Sequence, residues 1–278
     1  MRVMAAGVGP WDAWIREGTS KVHTPLPLIL GSDIAGVVEA LGSGVSGFRV
    51  GDAVYGVTNP EFCGGYAEYA VASAGMIASK PEVLSFVEAA SVPVVAVTAW
   101  QMLFDYGHVT AGQTVLVHGA AGSVGAYAVQ FAKQAQVKVF ATASGEGIEL
   151  AKRLGADRVI DYKTEKFEEV LPRVDVVLDT VGGETKRRSF AVLKETGILV
   201  SVVSANTTDV PEGREKQSIF FLVEVTTARL EHITQLFRQK KLFSHVGTAL
   251  PLSEARAAHQ MLAGAPHISG KIVLQVGA

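Results

Sequence analysis

The hydrophobic pattern is organised around Thr114 to Ser144. Val115, Leu116 and Val117 form a short apolar run, Gly119 to Gly125 break it into a Gly/Ala turn, and Val129, Phe131 and Ala132 follow at helical spacing. A second apolar run, Val137 to Thr142, comes next. The order predicts strand, glycine turn, helix, strand: a βαβ unit of about 30 residues. Its glycines stand where the backbone must approach a phosphate, and the helix that follows offers its first amides and positive dipole end to that anion. The turn reads Ala120-Ala121-Gly122-Ser123-Val124-Gly125, with alanine at the first glycine position of GxGxxG. The strand before and the helix after separate this turn from an ordinary βα turn without a ligand.

Upstream, residues 1–93 alternate short β-rich runs with Gly and Pro, as in Ile34 to Ala40 and Asp52 to Val57. Leu41 to Val50 carries three glycines in ten residues and reads as turns. No helical period is evident before Ser85, so a compact, bent β domain is expected. From Ser85 an apolar stripe through Val87, Ala90, Val94, Val97 and Leu103 suggests one or two linking helices.

Downstream, strand-like runs recur at 158–160, 174–178, 197–203 and 219–225, with Gly155 placed to cap the helix before the first of them. Six such runs with helices between them describe a doubly wound parallel Rossmann sheet in an α/β protein. An amphipathic helix is expected from Ala228 to Leu242, and a second over 253–263 with Ser253 as its N-cap. A terminal strand over 270–276 could complete either domain.

Length and composition narrow the class. The 278 residues suffice for two domains, and 48% hydrophobic against 19% charged residues suits an ordinary globular chain. A formal net charge of −2 shows no basic excess for nucleic acid and no block of charge for a membrane surface. No apolar run reaches the ~18 residues a transmembrane helix needs. The single cysteine, Cys63, rules out an internal disulfide and a cysteine-rich zinc site, so a reducing cytoplasmic compartment is expected. The first ten residues lack the pattern of a signal peptide.

Motifs across nearly the whole chain resemble the medium-chain dehydrogenase/reductase superfamily, in particular its zinc-free NADPH:quinone oxidoreductases. They are Gly31-Ser32-Asp33 through Gly36-Val37-Val38, Gly42, Val45, Gly51 to Val54, Gly64 to Tyr69, Thr98-Ala99-Trp100, the Ala120 to Gly125 turn and Gly270 to Leu274. The resemblance implies a GroES-like β-rich catalytic domain over 1–93, a Rossmann NADP-binding domain over 94–224, and a return to the catalytic domain over 225–278. Such proteins carry a further segment before the part matching Arg2 to Val8. The catalytic domain is therefore expected to be N-terminally shortened, and either covered by a partner chain or less stable than usual. In the zinc-dependent branch Cys, His and Cys hold the catalytic metal; the matching positions here are Gly9, Ser32 and Val94, and the four-cysteine structural loop is absent. His23, His118 and His267 show no ligand spacing, so no metal site is expected.

An NAD-selective Rossmann unit places Asp or Glu about 20 residues beyond its first turn. Here that place holds Ala143-Ser144, which leaves room for a 2′-phosphate with Tyr162 beside it, so the expected cofactor is NADPH. Glu146 stands where relatives carry a basic residue, and Lys163, Arg153 or Lys271 are the candidates to compensate. The resemblance further implies cofactor contacts at Thr98, Ala121, Gly122, Ser123, Val124, Gly125, Ser144, Tyr162, Val202, Val203, Ser204, Phe221, Val223 and Lys271.

The resemblance also implies a substrate pocket of Gly9, Pro10, Trp11, Tyr55 and Tyr66, with core packing the alternative for the two tyrosines. Asp12 and Asp33 fit the motif as structural or catalytic carboxylates, and no general acid is identified. Without a metal Lewis acid, hydride transfer to a quinone or an α,β-unsaturated carbonyl is the chemistry expected, because such an acceptor spreads the added charge itself. An NADPH-binding structural or regulatory protein with little turnover is the alternative from another class. The apolar strand over 219–225, if it lies at a sheet edge, invites edge pairing, and the resemblance implies a homodimer through it.

Overall fold

The computed structural model describes residues 1–22, 25–206 and 208–277. The strands in chain order are β1 (Arg2–Val8), β2 (Asp33–Val37), β3 (Ala53–Val57), β4 (Ile77–Ser79), β5 (Thr114–Val117), β6 (Lys138–Ala143), β7 (Arg158–Asp161), β8 (Val174–Asp179), β9 (Leu193–Ser201), β10 (Ser218–Phe220), β11 (Val246–Pro251) and β12 (Lys271–Gln275). The α-helices are α1 (Pro10–Arg16), α2 (Phe86–Ala90), α3 (Pro93–Trp100), α4 (Ser123–Gln134), α5 (Glu146–Leu154), α6 (Phe167–Val170), α7 (Gly183–Ser189), α8 (Thr227–Arg238) and α9 (Ala255–Leu262). Two compact units result, one of residues 1–97 with 225–278 and one of 98–224.

The first unit is built on a sheet of order β11-β12-β1-β2-β3-β4. Its pairs are antiparallel except β11 with β12. The C-terminal strand β12 lies directly against the first strand, so this unit contains both ends of the described chain. Val8, Ala258, Ile272 and Leu274 pack α9 onto the sheet, and Val3, Ala6, Ile34 and Ala70 form a second buried group. The 41–50 segment carries no strand or helix, as its glycines imply.

The second unit is a six-stranded sheet of order β10-β9-β8-β5-β6-β7, parallel throughout. The order reverses between β5 and β8, the arrangement in which ligands bind beyond the carboxyl ends of the strands. Leu116, Phe140, Ile160, Val177, Leu193 and Leu199 form its buried core with Phe167 and Phe190. Gly155 closes α5 at φ 111°, the left-handed cap that its position suggested.

Several elements differ from the sequence expectation. The helix α1 falls inside the stretch read as β and turn; seven residues starting with Pro at the first position are too short to show a period. The expected strand over 219–225 ends at Phe220. Beyond it Phe221 stacks on Tyr106 with ring centroids 4.3 Å apart, and the Glu224 amide donates to Gln101 Oε1 at 2.9 Å, which draws the chain off the sheet onto a π-helical turn at Gln101–Tyr106. Ser253 lies within a 3₁₀ turn, Leu252–Glu254, and α9 takes Glu254 as its N-cap.

Candidate functional site

In the second unit the expected cofactor residues gather at the carboxyl ends of the parallel strands. After β5 the chain turns through Gly119 to Gly122 and enters α4, whose first intrahelical bond runs from the Ala126 amide to the Gly122 carbonyl at 2.9 Å. The amides of Ser123, Val124 and Gly125 precede that bond, and amides so placed need an acceptor from outside the helix. Gly125 is buried, and a Cβ there would overlap the Gly119 carbonyl oxygen and the Ala120 Cα. Only glycine lets the helix start so close to the strand end. Gly122 is exposed, and the turn is open on its outer face.

At the neighbouring ends of β6 and β7, the Ser144 hydroxyl donates to the Tyr162 hydroxyl at 2.8 Å, with Tyr162 59% exposed. No carboxylate occupies the end of β6. Glu146 is exposed in the first turn of α5, and Arg153 and Lys163 are exposed. An amide row at a helix start, an open turn and a hydroxyl pair fit the pyrophosphate and phosphorylated ribose of a dinucleotide.

At the end of β8, Asp179 is fully buried; Oδ1 accepts from the amides of Val181 (3.0 Å) and Gly182 (2.7 Å), and Oδ2 from the Ser201 hydroxyl (2.8 Å). The Val202 amide donates to the Asp179 carbonyl at 3.2 Å, so this residue holds the loop of Val202, Val203 and Ser204 to the sheet. Buried Lys186 adds a bond from Nζ to the Asn206 carbonyl at 3.0 Å. Neither residue stood out in the sequence. Asp179 follows the apolar run of β8 directly and precedes a Gly-Gly pair, which is the signal that could have found it. Thr98 is buried, Val203 is exposed and Val223 is half-buried; Phe221 is buried on Tyr106, which leaves its backbone as the part a ligand could reach.

The first unit holds a second polar centre. Because β1 runs antiparallel to both neighbours, its carboxyl end meets the first residues of β2 and β12. Trp11 packs its indole over Gly9 and donates Nε1–H to Ser32 Oγ at 3.0 Å. Asp33 accepts the Val94 amide on Oδ1 at 2.9 Å, and its Oδ2 lies 2.9 Å from Lys271 Nζ. That ammonium sits 4.2 Å from the Trp11 ring centroid, a cation over an aromatic face. Asp12 is fully buried; its Oδ2 accepts from the Gly9 amide (2.8 Å) and the Tyr66 hydroxyl (3.1 Å). Burial pushes the Asp12 carboxyl up to about 7, against the opposing pull of the Gly9 amide and Lys271. Burial also raises Asp33, opposed chiefly by Lys271.

Two sequence assignments change. Lys271 is 3% exposed and its ammonium is already paired with the Asp33 carboxylate, so it offers no free cation to a ribose phosphate. Tyr55 is fully buried, with its hydroxyl donating to the Leu230 carbonyl at 2.9 Å and 3.0 Å from Thr234 Oγ1, a tie between β3 and α8 and no pocket wall. Gly9, Pro10, Trp11 and Tyr66 do lie together at the end of β1 or against Asp12. His118 is a core residue, held between Thr142 Oγ1 (3.1 Å) and Ser189 Oγ (2.9 Å) and pushed down to about 4 by burial. His267 is exposed, and His23 lies outside the described residues. Among the described residues no group of three or more His, Cys, Asp or Glu side chains is placed to hold a metal ion. No helix among them is long and apolar enough to cross a membrane.

Comparison with known proteins bears on this pair of centres. Residues 1–82 match the alcohol dehydrogenase GroES-like domain family and residues 154–274 the zinc-binding dehydrogenase family. The quinone oxidoreductase of Pongo abelii is 31% identical over 290 residues, covering 99% of this chain and 88% of that protein. The chain belongs to the medium-chain dehydrogenase/reductase superfamily, among its quinone oxidoreductase-like members. A solved quinone oxidoreductase from Coxiella burnetii superposes with a TM-score of 0.91 at 37% identity, over 99% of this chain and 89% of that one. The NADPH-dependent alkenal/one oxidoreductase of Arabidopsis thaliana is 38% identical over 216 residues, 74% of this chain and 55% of that protein. This member of the superfamily is accordingly an oxidoreductase of two domains, one a Rossmann-like parallel sheet and one GroES-like.

Proposed function

We propose that the protein is an NADPH-dependent, zinc-independent reductase of quinones or α,β-unsaturated carbonyls. One observation carries the reading: Gly9, Ser32 and Val94, the positions matching the zinc ligands of the metal-dependent branch, are engaged with Trp11 and Asp33. Glycine and valine have no donor side chain, and the serine hydroxyl accepts the Trp11 indole. Unassisted alcohol oxidation is then disfavoured, because nothing at these positions lowers the hydroxyl pKa or holds an alkoxide. An acceptor that delocalises the incoming charge needs no such help. The relatives named for quinones and for alkenals and enones support the same acceptor class.

The amides of Ser123, Val124 and Gly125 would hold the cofactor pyrophosphate, and Ser144 with Tyr162 its phosphorylated ribose. When bound, the cofactor supplies the hydride. The absence of a carboxylate at the end of β6 favours NADPH over NADH, and the NADPH-dependent relative agrees. Exposed Lys163, next to Tyr162, is the cation best placed in sequence to meet the phosphate. The domain limits proposed are 1–93 and 225–278 for the catalytic domain and 94–224 for the cofactor domain. The short edge strand β10 supports a homodimer, and a monomer mass by light scattering would overturn it. A cytoplasmic location is consistent with the single cysteine.

The test is NADPH oxidation against a panel of quinones, enones and aldehydes, with and without a chelator. Turnover of quinones or enones that survives chelation, with a lower KM for NADPH than NADH, is the expected result. Tight NADPH binding without consumption of any acceptor would establish a binding protein instead, and loss on chelation would overturn zinc independence.

A further inference from the structure

Reduction of a quinone or enone needs a proton as well as a hydride, and the first unit contains a proton source. We infer that Tyr66 and Asp12 form a relay in which the Tyr66 hydroxyl protonates the reduced acceptor and Asp12 replaces that proton. The inference rests on the reductase reading above. Tyr66 is half-buried while Asp12 behind it is fully buried, and their oxygens are 3.1 Å apart. Asp12 Oδ1 is also buried and has no hydrogen-bond partner among the described residues. A carboxylate with an empty buried oxygen is costly, whereas a neutral carboxyl can hold a proton there or share it with Tyr66.

The Tyr66 ring has little freedom. Its amide donates to the Leu30 carbonyl at 2.8 Å, and its face lies on Gly31, where φ is +91° and a Cβ would overlap the ring. Its edge meets His259 at a centroid distance of 6.0 Å. The titratable and charged groups acting on Asp12 are Lys271 of β12, Asp33 of β2 and Tyr66 of the loop after β3, while His259 of α9, edge-on to the Tyr66 ring, pairs with Arg16 of α1. His259 Nδ1 accepts from Arg16 at 2.9 Å, and burial, followed by Arg16, lowers its proton affinity, so it does not compete with Asp12 as the donor. Lys271 is committed to Asp33. A neutral Asp12 is supported independently by burial, which brings its titration to about 7.

The step balances as follows. The acceptor gains a hydride, two electrons with one proton, which NADPH would supply on oxidation to NADP⁺, and the acceptor oxygen becomes anionic. The Tyr66 O–H bond breaks and its proton passes to that oxygen, while the Asp12 carboxyl O–H breaks and its proton passes to the Tyr66 oxygen. Asp12 is left as a carboxylate, and a proton from solvent returns to it through the Tyr66 hydroxyl before the next turnover. The enol from an enone tautomerises in solution.

The experiment uses full-length protein with NADPH and two probes, 2-cyclohexen-1-one and 1,4-naphthoquinone. Tyr66→Phe is expected to lower kcat on cyclohexenone about 100-fold, the size of a general-acid contribution, with KM and NADPH affinity within about threefold. Wild-type kcat should be flat below about pH 7 and fall about tenfold per unit above it, and Asp12→Asn should lose that break. As a readout apart from turnover, the ¹³C carboxyl resonance of Asp12 should titrate near 7. A Tyr66→Phe rate within threefold of wild type, or an Asp12 midpoint near 4, overturns the relay while the reductase reading stands. Wild type inert towards both probes overturns reading and relay together. If Asp12→Asn fails to fold by circular dichroism, Tyr66→Phe and its pH profile decide.

Discussion

Lys271 and Asp33, the first residues of β12 and β2, form a 2.9 Å ion pair with 3% and 0% of their side chains exposed. The pair joins the C-terminal strand to the N-terminal half of the same sheet, with β1 between them. Removing one partner leaves the other charge buried without compensation. Lys271→Met should therefore destabilise the protein by about 3–5 kcal/mol, and Asp33→Asn/Lys271→Met by much less. Urea denaturation of both variants checks this; equal losses would show that the two charges are not coupled.

Tyr55→Phe removes the hydroxyl that joins Leu230 and Thr234 to β3. The expected loss is about 1–3 kcal/mol, because a buried carbonyl and a buried hydroxyl lose a partner. Acceptor KM should stay unchanged. A changed KM with unchanged stability would return Tyr55 to the pocket.

Gly125→Ala and Gly122→Ala separate packing from exposure within one turn. A Cβ on Gly125 would overlap backbone at Gly119 and Ala120, whereas on Gly122 it would meet only the Gly119 carbonyl, at 3.1 Å. NADPH fluorescence titration should show at least about a tenfold loss of affinity for the first, about 1.4 kcal/mol, and a smaller one for the second.

Asp12 also makes stability depend on pH. Its folded-state pKa of about 7 lies above the ordinary aspartate value of 3.8, so between these limits the native state binds more protons than the unfolded one. Its contribution is complete below about pH 4 and is lost as pH rises through about 7. Thermal melts from pH 5 to 8 should show a fall in Tm that Asp12→Asn flattens.

The fold was legible where side chains repeat over many residues. The βαβ unit from Thr114, the later parallel strands and the α5 cap at Gly155 follow from local period and glycine placement. Short elements were not: α1 is too brief for a period, and 219–225 is apolar enough for a strand yet leaves the sheet at Phe221 because Tyr106 and Gln101 offer better partners. Trp11, Asp12 and Asp33 could be named from motif, but the roles of Tyr55 and Lys271 depend on residues more than 170 positions away for one and more than 230 for the other.

The class of fold, the Gly/Ala turn before α4 and the missing carboxylate after β6 are readable from the chain alone, since each rests on backbone demands or residue types within some 30 positions. Only the tertiary structure decided which polar side chains share a buried environment. Antiparallel pairing of β1 with β2 and β12 brings Trp11, Asp12, Ser32, Asp33 and Lys271 together from opposite ends of the chain. Burial there sets proton affinity through desolvation and neighbouring charge, quantities that no local pattern encodes.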